Sequence, residues 1–235
     1  MLKYKCLILD HDDTVVQSEK TLGFPCFVQT MSHLRPNITL TLDEYVRDCH
    51  SMGFYNLCRQ KYGFTEEEMA IEYADWKHYI RTHIPEPFPG IRQIIHRQKE
   101  LGGILCVVSH SSEEIIRRDY ITHFALEPDA IYGCDLPESM QKPHPYPLQA
   151  IMDRYHLQAS DLLVLDDSRL GFDMAQPLGI STAFAAWGKI GFDDVLQEMA
   201  RLCNFTFHTT ADFEAFLFPT LDSCGIIPCE NGARR

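Results

Sequence analysis

Three aspartates, Asp10, Asp12 and Asp13, crowd into four positions of "CLILDHDDTVVQSE" (6–19), directly after an apolar run. A second acidic pair, Asp166 and Asp167, closes another apolar run in "DLLVLDDSRLGFD". Two further polar residues stand in comparable places: Ser109 at the end of "GILCVVS" and Lys142 in "QKPHPYP". Five carboxylates and one ammonium cannot all stay ionised at close range without another cation. Hard oxygen donors with no neighbouring cysteine ligands point to Mg²⁺ rather than zinc. The eleven histidines show neither H-x-x-x-H nor H-E-x-x-H spacing, so a zinc hydrolase is not expected.

That set of groups can handle a phosphoryl group. A carboxylate at a strand end can attack phosphorus and divide the transfer into two steps. A carboxylate two residues further on, raised in pKa by its neighbours, can protonate the leaving oxygen and later take a proton from water. Lys142 and Ser109 can neutralise and orient the transferring oxygens.

The elements that must bring these residues together are short and continuously apolar: 5–10, 103–109, 130–134, 161–167, 181–187 and 205–208. Runs of this kind, without alternation, fit parallel strands buried on both faces. Helical patterns fall between them, near 90–101, 112–120, 146–155, 171–178, 192–202 and 211–217. Strand and helix in alternation predict an α/β fold with a doubly wound parallel, Rossmann-like sheet. Ligands of such sheets gather at the carboxyl ends of the strands, where the residues named above would sit.

One interval breaks the rhythm. Residues 19–85 carry no strand-like run, and two capping boxes, Thr41 with Glu44 and Thr65 with Glu68, mark helix starts. Met69, Tyr73, Trp76 and Ile80 then recur at helical spacing, a stripe expected to pack as helix–helix core. The expected organisation is a core of residues 1–18 and 86–235 with an all-helical cap at 19–85, closed by the proline-rich "PEPFPG" (85–90).

With these residues in order, the chain resembles the haloacid dehalogenase superfamily, in the capped subgroup that includes phosphoglycolate phosphatases and β-phosphoglucomutases. The resemblance rests on "DHDDT", the serine of "VVSH", the lysine of "KPHPYP", "LDDSRLG" and the return segment "PFPG", and covers nearly the whole chain. It implies Asp10 as a nucleophile that forms an aspartyl-phosphate, and Asp12 as the general acid/base. It implies a Mg²⁺ held by Asp10, by the backbone carbonyl of Asp12 and by Asp167, with Asp166 in support. Ser109 and Lys142 would hold phosphoryl oxygens, and Thr14 would brace the loop. The family usually has glycine where this chain has Asp13. Aspartate tolerates the left-handed backbone region better than most residues, so Asp13 is expected as a turn former or support.

Other residues receive plainer readings. Ser111 is expected to cap the next helix, with Glu114 completing the box. His11 and His144 are read as packing or surface histidines, and Asp173 as a solvated or capping residue. Arg47, Arg59, Lys61, Lys77, His78 and Arg81 of the insert offer cations, of which one or two could reach a substrate. Gly53 could mark the cap loop that faces the site.

The net charge of −12, from 33 acidic and 21 basic residues, excludes a duplex nucleic-acid binder and an anionic membrane surface as partners. No run approaches the roughly 20 apolar residues of a membrane span. The nine cysteines are scattered without a C-x-x-C pair, which fits a reducing, cytoplasmic setting. A monomer is expected, and the tail "CGIIPCENGARR" suggests no function. The expected activity is hydrolysis of a small phosphorylated metabolite such as phosphoglycolate, a sugar phosphate or a nucleoside monophosphate. The alternatives are a β-phosphoglucomutase-like mutase and, in a different class, a catalytically impaired protein that only binds phosphorylated ligands.

Overall fold

The structure is a computed structural model that describes residues 2–219; Cys224, Cys229 and the tail segment lie outside the described residues. Six apolar runs form β1 (Cys6–Leu9), β2 (Ile104–Val108), β3 (Ala130–Tyr132), β4 (Leu162–Asp166), β5 (Ser181–Ala185) and β6 (Phe205–Phe207). They make one parallel sheet in the order β3-β2-β1-β4-β5-β6. β1, β2 and β4 are buried almost throughout, which is why their sequences show no alternation.

The helices in chain order are α1 (Phe24–Leu34), α2 (Leu42–Met52), α3 (Phe54–Asn56), α4 (Glu66–Thr82), α5 (Ile91–Glu100), α6 (Glu113–Phe124), α7 (Tyr146–Tyr155), α8 (Arg169–Ala175), α9 (Asp193–Leu202) and α10 (Thr210–Leu217). Alternate side chains of each strand feed two cores. Leu7, Leu9, Leu105, Val107, Leu163 and Leu165 pack with residues of α5, α6 and α10. Cys6, Ile8, Cys106, Val108, Leu162 and Val164 pack with α7 and α8 on the opposite face, where Phe184 meets α9. The result is the doubly wound α/β architecture expected from the sequence.

Between Glu19 and Thr82 the only regular elements are helices, with their own core around Phe27, Met31, Tyr45, Val46, Leu57 and Phe64. Thr65 and Glu68 form the reciprocal box, whereas Thr41 accepts only the Glu44 amide and donates its hydroxyl to the Glu44 carboxylate. Gln17 N donates to Glu86 O (2.9 Å) and Phe88 N to Val15 O (3.0 Å), so the segments entering and leaving this interval run side by side. The α4 stripe departs from expectation. Ile80 is buried and Met69 packs on the insert's core, but Tyr73 and Trp76 line a cavity instead.

No described helix is long and apolar enough to cross a membrane. Every cysteine among the described residues is free.

Candidate active site

The strand ends are level. Leu9 is in register with Leu165 on one side and Val107 on the other, and Asp10 N donates to Leu165 O (2.9 Å). This places Asp10, Asp166–Asp167 and Ser109 side by side beyond β1, β4 and β2. Asp10, Asp167 and Ser109 border a cavity of about 230 Å³ between the sheet and the helical interval.

Lys142 comes from the segment after β3 and is buried. Its Nζ lies 2.8 Å from Asp10 Oδ1 and donates to Asp166 Oδ2 (2.9 Å). Among the described residues no other group donates to Asp10 Oδ1. Burial pushes Asp10 well above the usual carboxylate range against the pull of Lys142, and Asp166, Asp167 and Asp12 add to the rise. Asp166 is also raised, by burial first, against the pull of Lys142. Burial alone would lower the Lys142 ammonium, but Asp10 and Asp166 outweigh it and hold it above its ordinary value.

Asp166 is fully engaged. Its Oδ1 accepts Ser168 N (2.8 Å) and Ser168 Oγ (2.7 Å), leaving Oδ2 for Lys142. Gly171 on α8 makes room: a Cβ there would come within 2.4 Å of the Asp166 side chain. Asp12 is half-buried. Its Oδ1 accepts Ser18 Oγ (2.7 Å), and its Oδ2 accepts Ser111 Oγ (2.7 Å) and, more distantly, Ser109 Oγ (3.4 Å). Thr14 reaches Asp167 Oδ1 at 3.5 Å and accepts Trp187 Nε1 on its carbonyl (3.1 Å).

Asp13 sits at φ 50°, the left-handed region expected where glycine is usual. Its Oδ1 accepts the amides of Ser18 and Glu19, both at 3.0 Å, and so holds the first turn of the helical interval. Burial raises Asp13 well above the usual range, against the pull of Lys189. Gly188 admits the loop, since a Cβ there would lie 2.1 Å from Asp13 O.

Lys189 was missed in the sequence. Its Nζ contacts Asp167 Oδ2 (2.6 Å), Glu19 Oε2 (2.5 Å) and, at longer range, Asp13 Oδ2 (3.8 Å). The signal was present: Lys189 follows β5, and the strand-end rule that located the other residues reaches it when carried one strand further. The site therefore holds a second ammonium where one was expected. It sets six carboxyl groups (Asp10, Asp12, Asp13, Glu19, Asp166, Asp167) against two lysines.

Ser111 corrects another expectation. The residue at the start of α6 is Ser112, and the Ser111 hydroxyl turns into the site toward Asp12. His110 Nε2 contacts Lys142 O (2.8 Å), tying two loops together, and burial, helped by Lys142, lowers it to about 4, so this ring is neutral. His11 is buried against Asp119 (3.1 Å), His144 is exposed, and Asp173 pairs with Arg169 on the α8 surface (3.4 Å).

A metal fits one of two carboxylate groupings. Oxygens of Asp10, Asp166 and Asp167 lie within 4.8 Å of one another, and Asp10 Oδ1, which meets only the Lys142 ammonium, is the atom a hard cation would satisfy. The second grouping, Asp13, Glu19 and Asp167, already surrounds the Lys189 ammonium.

The cations of the helical interval do not line the cavity. Arg47 pairs with Asp43 and Asp194, Arg59 with Glu66 and Glu138, and Lys61 with Asp48. Lys77 stands over the Tyr73 ring (5.4 Å), and neither His78 nor Arg81 lines the cavity. Gly53, at φ 78°, lies where α2 meets Leu170 of the sheet domain.

Comparison with known proteins adds an independent line. The profile of the family described as haloacid dehalogenase-like hydrolase matches residues 7–185. No curated protein matches the sequence. Among solved structures, a predicted phosphoglycolate phosphatase from Haemophilus somnus is 18% identical, with a TM-score of 0.68, over 92% of this chain and 99% of that one. CbbY from Rhodobacter sphaeroides, solved with xylulose-(1,5)bisphosphate, is 16% identical, with a TM-score of 0.67, over 89% and 96%. A protein of Bacteroides vulgatus provisionally named a β-phosphoglucomutase is 19% identical, with a TM-score of 0.70, over 90% and 86%. Identities this low establish the shared fold.

Proposed function

The chain belongs to the haloacid dehalogenase-like hydrolases, and from that premise we propose that it is a magnesium-dependent phosphatase of small phosphomonoesters. Residues 1–18 and 86–235 act as the catalytic core and 19–85 as its cap, in a cytoplasmic monomer. The observation that carries this reading is the meeting of Asp10 and Asp167 from separate strand ends, with Lys142 beside Asp10.

Asp10 attacks phosphorus, the ester P–O bond breaks, and the leaving alkoxide takes a proton from Asp12. Water then attacks the phosphorus of the aspartyl-phosphate, returning its proton to Asp12 and releasing phosphate. Ser109 and Lys142 bind the transferring oxygens, and Lys142 balances the charge that builds on them. Thr14, Asp13 and Asp166 hold the loops in place through the contacts described above. Asp10, the Asp12 carbonyl and Asp167 would hold the Mg²⁺, which when bound supplies positive charge against the phosphoryl oxygens.

The test is phosphate release from p-nitrophenyl phosphate and a panel of phosphorylated metabolites, with Mg²⁺ and with EDTA. Turnover that requires Mg²⁺ is expected; turnover indifferent to chelation contradicts the reading. Recovery of an isomerised hexose phosphate instead of free phosphate would identify a mutase.

A further inference from the structure

The side of the cavity opposite the aspartates is built from other chemistry. Tyr45, Phe54, Tyr55, Tyr73 and Trp76 line it, all from the helical interval. Among them stands Glu72 of α4, which lines the cavity yet is only 8% exposed. No salt bridge joins Glu72 to any described residue, while its neighbour Asp75 is occupied by the Thr30 hydroxyl (2.8 Å). Burial, with Asp75 adding to it, raises the Glu72 carboxyl to about 7, and no cation offsets the rise.

A buried carboxyl without a partner is costly, and a chain that keeps one facing a cavity is poised for a ligand that supplies the missing charge. Aromatic faces attract the same kind of group, through the negative potential above each ring. The lysines and arginines that line the cavity are Lys142 and Lys189, both beside the aspartates and both ion-paired. A substrate with a carboxylate or a second phosphate on its organic half would meet Glu72 and aromatic rings, with no lysine or arginine of the described residues on that wall to receive it.

We propose that the organic half of the substrate is cationic: the site takes phosphate monoesters of amino alcohols, with the ammonium held by Glu72 and the surrounding rings. This rests on the phosphomonoester reading above and narrows it to a substrate class. His50, buried in the same wall with Nδ1 unpartnered, offers a further polar contact to the ligand.

The experiment separates binding from reaction. Calorimetry on the Asp10→Asn chain with Mg²⁺ compares 2-aminoethyl phosphate, its uncharged isostere propyl phosphate, and 2-phosphoglycolate. The amine is expected to bind about tenfold or more tightly than the propyl ester, with the carboxylate weakest. Glu72→Gln in the same background should bring the amine-to-propyl ratio within about threefold of unity, and Glu72→Asp should keep part of the preference. Equal or tighter binding of phosphoglycolate, or an amine preference that survives Glu72→Gln, overturns the proposal. If a variant fails to fold, the three ligands on the Asp10→Asn chain alone decide whether the site prefers a cation. Phosphate release by the unmodified chain from the same esters tests the reaction separately: preferential amine binding without hydrolysis would refute the phosphatase and leave this inference standing.

Discussion

On the sheet side of the cavity, every carboxylate has a cation, hydroxyl or amide within reach: Lys142 for Asp10 and Asp166, Lys189 for Asp167, serines for Asp12, and backbone amides for Asp13. On the helical side, Glu72 is in no salt bridge among the described residues, and aromatic rings line the cavity around it. The first arrangement is preorganised for a fixed group, the phosphoryl, whose charge and size do not vary between substrates. The second is incomplete without its ligand. If, as proposed, reaction belongs to one wall and selectivity to the other, substitutions on each should fail in different ways.

The largest effect belongs to the sheet side. Asp10→Asn removes the proposed nucleophile and should lower kcat on p-nitrophenyl phosphate by about 10⁴-fold or more, measured by phosphate release. A loss of less than tenfold would break the division at its root. Lys142→Met should cost about 10²–10³-fold in kcat/KM, because it removes the charge that balances the transferring oxygens. It should also destabilise the metal-free fold by about 3–5 kcal/mol in urea unfolding, since Asp10 and Asp166 then lie buried without a cation.

On the helical side the sign reverses. The Glu72 carboxyl titrates near 7 in the folded chain against an ordinary value of 4.5, so the unfolded chain releases its proton first as pH rises. Stability is therefore unaffected below about pH 4.5 and falls as pH climbs toward 7, by about 3 kcal/mol at most. Asp75, Tyr45, Tyr55, Cys26 and Cys58 are its titratable neighbours, and the thiols and phenols are themselves pushed up by burial first and then by Glu72 among others. Glu72→Gln should make the ligand-free chain more stable than wild type at pH 8 and nearly equal at pH 5. Equal stability at both values would mean that the carboxyl is satisfied by something else.

The smallest effect sharpens the border between the two walls. Ser111→Ala removes one hydroxyl donor to Asp12 and should lower kcat about tenfold while shifting the melting temperature little. Ser112→Ala, which loses no capping hydrogen bond, should leave kcat alone.

The two walls also differed in how far the sequence disclosed them. Strands buried on both faces leave unbroken apolar runs, so β1, β2 and β4 and the polar residues at their ends could be read directly. Lys189 carries the same signal after β5 and is found by the same rule. Ser111 misled because S-x-x-E is also a capping pattern, and only the fold brings its hydroxyl opposite Asp12, 99 positions away in sequence. The helical wall was nearly silent. A stripe at helical spacing cannot distinguish packing against a neighbour from lining a void, so Tyr73 and Trp76 read as core. Glu72 lies in "EEEMAIEYADW", where acidic residues suggest solvent, and its burial depends on helices that meet only in the folded chain. Arg47 and Arg59 looked available for a substrate, but their partners Asp194 and Glu138 lie far along the sequence.

In the proposed mechanism Asp10 takes the phosphoryl group with Mg²⁺ present. Single turnover on p-nitrophenyl phosphate, quenched with borohydride and followed by peptide mass spectrometry, tests it most directly, because reduction of an aspartyl-phosphate leaves homoserine. Homoserine is expected at position 10 in the presence of Mg²⁺ and none with EDTA. Rapid phosphate release with unmodified aspartate at position 10, or homoserine at another site, would contradict it.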